Sequence, residues 1–156
     1  MNTALTKLKL RYAGLCWDLH VAGALLGALV GHPSLRELHV TGERNTAITT
    51  ENRSVFGAAL GALVAADAPT LQVLDCSYNN LGGAGLTPIA EALPLNHHLY
   101  ELNVGDNGMT EAFARNLLLP AVRENTTLRA LQCGFCCSAG SVAEAEELAR
   151  GRAQLG

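Results

Sequence analysis

A six-residue pattern, Leu-x-x-Leu-x-(Leu/Val/Cys), returns five times along this 156-residue chain. The copies are Leu5, Leu8, Leu10; Leu35, Leu38, Val40; Leu71, Leu74, Cys76; Leu99, Leu102, Val104; and Leu128, Leu131, Cys133. They start at residues 5, 35, 71, 99 and 128, with spacings of 30, 36, 28 and 29. Self-similarity at this period predicts a stack of like units, each too small to bury its own apolar face and each covered by its neighbours. Hydrophobic residues make up 49% of the chain and aromatics only 4%. That balance suits many thin aliphatic layers better than one irregular core.

Within each copy the apolar alternation predicts a short strand. Three residues past its last apolar position stand Asn79, Asn107 and Cys136 in the third, fourth and fifth copies. There the chain must turn sharply into a buried corner, where an Asn amide can satisfy stranded peptide groups and a small Cys can fill the same space. The first two copies have Ala13 and Glu43 instead, which predicts a weaker corner at that end. Between the strands lie helix-like segments. Residues 21–30, VAGALLGALV, are nearly repeated by residues 55–64, VFGAALGALV, and Leu86, Ile89, Ala90 and Leu93 line one face of a third. Glycine inside a helix costs about 1 kcal/mol, partly offset if small residues let helices approach closely. Pro88 is expected in a first helical turn, where its missing N–H is harmless. Pro120 lies deeper in its segment and predicts a kink or early break.

One strand and one helix in every 28–29 residues resembles the ribonuclease-inhibitor-like class of leucine-rich repeat proteins. The likeness covers nearly the whole chain and is carried best by CSYNNLGGAGLTPIAEAL (76–93) and ENTTLRALQC (124–133). Similar repeats occur in NOD-like receptors, tropomodulins and the activating protein of the Ran GTPase. The resemblance implies an α/β solenoid: a short horseshoe of about five repeats, with parallel strands on the concave face and helices on the convex face. It spans residues 1–156 as a single domain. The second copy is longer than its neighbours, and the excess falls at 41–54, TGERNTAITTENRS. This polar stretch is expected to be an exposed rim loop, either a contact site or an insertion tolerated because loop closure costs little. A charged helix at about 141–152 reads as the C-terminal cap, its acidic start and basic end suited to the helix dipole. Asn2-Thr3-Ala4-Leu5 matches Asn125-Thr126-Thr127-Leu128. Residue 1 therefore falls where a preceding repeat's helix would end. A fragment of a longer array, or an N-terminal edge stacked on another surface, are the two expectations that follow.

In this geometry the residues between the strand leucines face the concave side. Candidate partner contacts are Lys7, Lys9 and Arg11 on the first strand, with Tyr12 just past it. Glu37 and His39 follow on the second, Asp75 on the third with Tyr78 beyond it, and Glu101 and Asn103 on the fourth with Tyr100 before it. Gln132, and Phe135 beyond the last strand, complete the set. Aromatic anchors on a charged face are common ingredients of a binding hot spot. The bland alternative is a solvated polar row. The function expected is a non-enzymatic protein–protein interaction module using the concave face and the 41–54 loop. The alternatives are a structural subunit of a larger, cytoskeletal assembly, and a GTPase regulator by fold analogy alone.

Other chemistry finds little support. The formal net charge of -3 does not suit phosphate neutralisation, so no nucleic acid is expected. The longest apolar run, 21–30, is about half the ~20 residues of a spanning helix, so no membrane span is expected. Five cysteines without a signal-like N-terminus point to a reducing, intracellular location, the cytoplasm. Cys133, Cys136 and Cys137 lack a second matching pair, and Cys133 already fills an inward strand position, so no metal is expected. No cofactor loop and no catalytic set can be located.

Overall fold

The computed structural model describes residues 3–11, 19–43, 49–134 and 140–154. Tyr12, Ala13, Phe135, Cys136, Cys137 and the middle of the 41–54 stretch lie outside the described residues. Five strands form one parallel sheet in chain order: β1 (Lys7–Arg11), β2 (Glu37–Thr41), β3 (Val73–Asp75), β4 (Glu101–Asn103) and β5 (Ala130–Gln132). The register aligns the repeats residue for residue, so that Leu8, Leu38, Leu74, Leu102 and Leu131 form one row. Leu38, Leu74 and Leu102 are almost fully buried. Leu8 and Leu10 on the outer strand are only partly so.

The helices return the chain on the other layer. They are α1 (Leu19–Leu29), α2 (Thr50–Ala65), α3 (Gly82–Ala92), α4 (Glu111–Phe113), α5 (Leu119–Glu124) and α6 (Gly140–Ala153). Residues 50–54, expected in the rim loop, instead form the first turn of α2, where the Thr49 hydroxyl accepts the Asn52 amide at 3.1 Å. The polar composition that resembled a loop is that of a capped, solvent-facing helix start. Pro88 is not in a first turn: it lies within α3, six residues after its start. Pro120 neither breaks nor ends its helix. The five residues before α5 widen into a π turn, and Pro120 takes a place in the first turn that follows.

Two asparagine rails close the corners. At the strand exits, Asn79 Nδ2 donates to the carbonyls of Val40 (2.7 Å), Cys76 (2.9 Å) and Ser77 (3.1 Å). Asn107 repeats this one coil on, donating to Cys76 and Val104 at 3.0 Å each, while its Oδ1 accepts the Asn79 amide at 3.0 Å. At the strand entries, Asn96 Nδ2 donates to Val64 O (2.8 Å), and Asn125 Nδ2 to Leu93 O (2.7 Å) and Asn96 O (2.8 Å). Their Oδ1 atoms accept the Leu99 and Leu128 amides at 2.8 Å each. In the second repeat His32 takes this place, its Nδ1 accepting the Leu35 amide at 3.2 Å.

Helix α6 packs against β5 and α5. Glu146 accepts the Cys133 amide at 2.8 Å, Arg152 donates to Val122 O at 2.6 Å, and Arg123 pairs with Glu144. No acidic residue lies in its first turn, because the helix begins at Gly140; Arg150 and Arg152 do lie in its last.

The near-identical helix strings meet opposite surroundings. A Cβ added at Gly57 would fall on the Gly85 carbonyl oxygen, and one at Gly61 would lie 2.5 Å from Pro88 Cβ. These two glycines let α2 lie directly on α3. At Gly23 and Gly27 of α1 an added Cβ meets nothing within 4 Å, and Val21 and Val30 beside them are exposed. Gly57→Ala and Gly61→Ala should therefore each destabilise by about 1–3 kcal/mol through overpacking. Gly23→Ala and Gly27→Ala should each stabilise by roughly 0.5–1 kcal/mol, the helix-propensity gain. Urea denaturation of the four variants checks this, and equal effects at both pairs would contradict it.

Candidate functional site

Strand pleating and register organise the concave face into rows. Lys7, Glu37, Val73, Glu101 and Ala130 form one, and Lys9, His39, Asp75, Asn103 and Gln132 the next. Arg11 pairs with Thr41 above them. Tyr78 follows β3 at the strand-exit end. Tyr100 lies at the opposite end, in an entry-side row with Thr6, Arg36, Gln72 and Arg129 that successive backbone hydrogen bonds define. The two tyrosines are thus not brought together, because one follows its strand and the other precedes it.

The middle of the face is a connected polar network. Lys7 pairs with Glu37. His39, largely buried, sits between two carboxylates: Nε2 is 3.4 Å from Glu37 Oε2 and Nδ1 3.4 Å from Asp75 Oδ2. Asp75 Oδ1 accepts the Ser77 amide at 3.1 Å and the Ser77 hydroxyl at 2.7 Å. Asn103, next in the row, likewise accepts the Gly105 amide at 2.9 Å. The last side chain of β3 and that of β4 are thus held by the same local turn. The hydrogen bond from Lys7 outweighs desolvation and, helped by His39, holds the Glu37 carboxyl below its ordinary value. Directly behind the face, burial, aided by Asp75, pushes the Cys76 thiol up to about 12. It is a packing residue, not a nucleophile.

Three charged side chains stand apart from this network. Among the described residues, Lys9, Arg11 and Glu101 have no ion pair and no side-chain hydrogen bond. Lys7, Lys9 and Arg11 were expected as contacts together on the first strand, but Lys7 is engaged by Glu37. Gln132 is exposed at the far strand.

Beside Arg11 a cavity of about 550 Å³ opens, lined by Thr41, Gly42, Glu43, Asp75, Ser77, Tyr78 and Asn103. Gly42 and Glu43 belong to the 41–54 stretch expected to make contact, although neither was named singly among the candidate residues. The signal available was the register itself, since Gly42 donates its amide to Ser77 O at 3.1 Å. A side chain at Gly42 would collide with the Tyr78 carbonyl and with Asn79 Oδ1. Tyr78 holds a left-handed backbone (φ 61°), as Asp106 does in the next repeat (φ 54°). A bulky residue kept in this region carries strain of about 1–3 kcal/mol, a feature that clusters at functional surfaces.

On the opposite, entry-side rim, Asp67 accepts the His97 amide (2.7 Å) and faces the imidazoles of His97 (3.1 Å) and His98 (2.9 Å). Burial raises its pKa, but these histidine contacts outweigh it and leave the carboxyl below its ordinary value. Among the described residues no cluster of His, Cys, Asp and Glu could hold a metal ion, and no helix is long and apolar enough to cross a membrane.

Residues 67–90 match the family model described as Leucine Rich repeat. Among solved structures the chain is similar to leiomodin-1 actin-binding site 2, with a TM-score of 0.73 and 18% identity over 99% of this chain and 84% of that one. It is also matched by a Caenorhabditis elegans tropomodulin C-terminal domain, at a TM-score of 0.47 and 13% identity over 88% and 96% of the two chains. The repeat pattern, the parallel sheet and the leiomodin-1 superposition together define a leucine-rich repeat fold.

Lys7→Ala should let the Glu37 titration rise toward its ordinary value, whereas Lys9→Ala should leave it in place. Because the Glu37 pKa is lowered in the fold, its contribution to stability is present above the ordinary carboxylate range and lost as pH falls through the lowered value. Carboxyl-carbon NMR titration of the two variants reads this directly. An unmoved Glu37 in Lys7→Ala would show that the pair does not form in solution.

Proposed function

We propose that this chain is a protein-interaction module, without catalytic activity, that grips its partner on the concave face next to the 41–43 segment. The observation that carries this reading is the set of uncompensated charges, Lys9, Arg11 and Glu101, displayed on the concave face, with Arg11 lining the cavity. Such a surface offers direction and charge at little reorganisation cost. The repeat lengths, with a helix in each outer layer, support assignment to the ribonuclease-inhibitor-like class. The buried free thiol of Cys76 accords with a reducing, cytoplasmic setting.

Likeness to an actin-binding site makes actin the first partner to test. Wild-type chain should co-sediment with filaments or alter assembly of labelled monomer. Lys9→Glu/Arg11→Glu should weaken that at least tenfold, with the midpoint of unfolding unchanged, because both side chains are exposed and unpaired. No effect of the wild type on monomeric or filamentous actin would remove actin as the partner. Unimpaired binding by the double variant would remove the concave face as the contact.

One observation favours a second reading, a structural subunit stacked through its first repeat. The outer face of α1 is small and apolar, with Val21 and, just past its end, Val30 exposed, although Val64, the counterpart of Val30 in α2, is buried and Gly57 and Gly61 are packed against α3. Sedimentation velocity at rising concentration distinguishes the two: self-association abolished by Val21→Glu/Val30→Glu supports stacking, and a strictly monomeric chain opposes stacking between copies.

A further inference from the structure

We infer that a hollow over β3, β4 and β5 is a socket for one basic side chain of the partner, a lysine or an arginine. Its stem lies against Val73 and Ala130, and its cation between Glu101 and Asp75. This rests on the concave-face reading above and names the chemistry that one part of that face accepts.

The hollow follows from side-chain size. In the row Lys7, Glu37, Val73, Glu101 and Ala130, the two shortest side chains flank Glu101. They leave a depression of about 180 Å³, lined also by Asp75, Asn103 and Gln132 of the next row. At about 30 Å³ of liquid per water molecule, this is the room of roughly six waters. That is the scale of one long side chain and too little for a helix or a strand.

Its charge is one-sided. The concave-facing residues of β3, β4 and β5 include two acids, Asp75 and Glu101, and no lysine or arginine. Lys7 is engaged by Glu37, and Lys9 and Arg11 stand on β1, three strands from Glu101. Arg129, at the entry end of β5, donates from Nη1 to Thr126 O and Thr127 O at 2.9 Å each. His39 also lines the hollow, but it is shared between Glu37 and Asp75 at 3.4 Å from each. Asp75 Oδ2 therefore has no contact shorter than this one, and Glu101 has no ion pair among the described residues. Both carboxylates retain acceptor capacity. They lie two residues out of register on adjacent strands, a diagonal of about 7–8 Å that one ammonium or guanidinium can bridge.

The hydrocarbon on both sides of Glu101 selects the kind of cation. Among the described residues no group of His, Cys, Asp and Glu could hold a metal ion. Val73 and Ala130 suit instead a charge carried on a methylene stem, which packs on apolar surface while its head stays near water. One inserted side chain fits whatever backbone carries it, so the socket imposes no chain direction on the partner.

The probes are N-acetyl-lysine methylamide and N-acetyl-norleucine methylamide, which share a stem and differ in the ammonium. Each is titrated at low salt into isotope-labelled chain. Shifted amides should fall on 73–75, 101–103 and 130–132. The lysine probe should bind about fivefold more tightly, the scale of an exposed ion pair. Glu101→Gln should reduce it to the norleucine level. Ala130→Leu fills the hollow while keeping both acids, and should abolish saturable binding of both probes with the remaining amide resonances in place. Equal affinity of the two probes in the wild type would overturn the inference. So would lysine binding that survives Ala130→Leu, which marks general attraction to an acidic surface, or saturable binding by neither probe. None of these outcomes touches Lys9 and Arg11, so the concave-face reading would still be decided by the co-sedimentation of their double variant.

Discussion

The buried asparagine amide is the constraint on which this architecture rests. Where the corners are described, the coils bring peptide groups into a dry interior twice, once leaving the strand and once entering it. A buried peptide group without a partner costs about 1–3 kcal/mol, so the turns must be satisfied by side chains that carry both a donor and an acceptor. Asn79 and Asn107 do this at one corner, and Asn96 and Asn125 at the other. With these corners satisfied, the leucines between them can form their uninterrupted row, and the sheet behind the concave face is rigid.

The strand register was legible because leucine spacing and strand pleat share a period: residues 5, 35, 71, 99 and 128 place every rung. The exit rail was legible for the same reason. The entry rail was not, although its residues were visible. Asn96 and Asn125 stand three residues before their leucines, but His32 and Ala68 occupy that place in other copies, and an imidazole acceptor does not look like an amide until its geometry is known. The polar stretch at 41–54 was misread in part because a capped, hydrated first turn and a rim loop draw on the same residues. The candidate face was legible as a list of exposed positions. Which charges cancel was not, since the Lys7–Glu37 pair depends on side-chain conformations across neighbouring strands.

The duplicated helices show how neighbours decide the meaning of a string. In α2 the glycines are contact residues, because Gly85 and Pro88 of the next helix press on them. In α1 the same spacing faces open space, and glycine serves there only to weaken the helix. The polar network of the concave face follows the same rule. His39 is an exposed strand position by pattern, and becomes largely enclosed because carboxylates of its own and the adjacent strand close on both ring nitrogens.

Each asparagine rail also has a direction. Asn79 reaches back to Val40, Asn107 to Cys76, Asn96 to Val64 and Asn125 to Leu93; in every case the donor comes later in the chain than the acceptor. As the polypeptide leaves the ribosome, a newly made coil finds its acceptors already laid down and can be stitched on at once. Loss of coils from the two ends is correspondingly unequal. Peeling from the C-terminus strips the preceding coil of its asparagine donors, while peeling from the N-terminus removes instead the backbone amides that Asn103 O, Gly105 O and Asn107 Oδ1 accept.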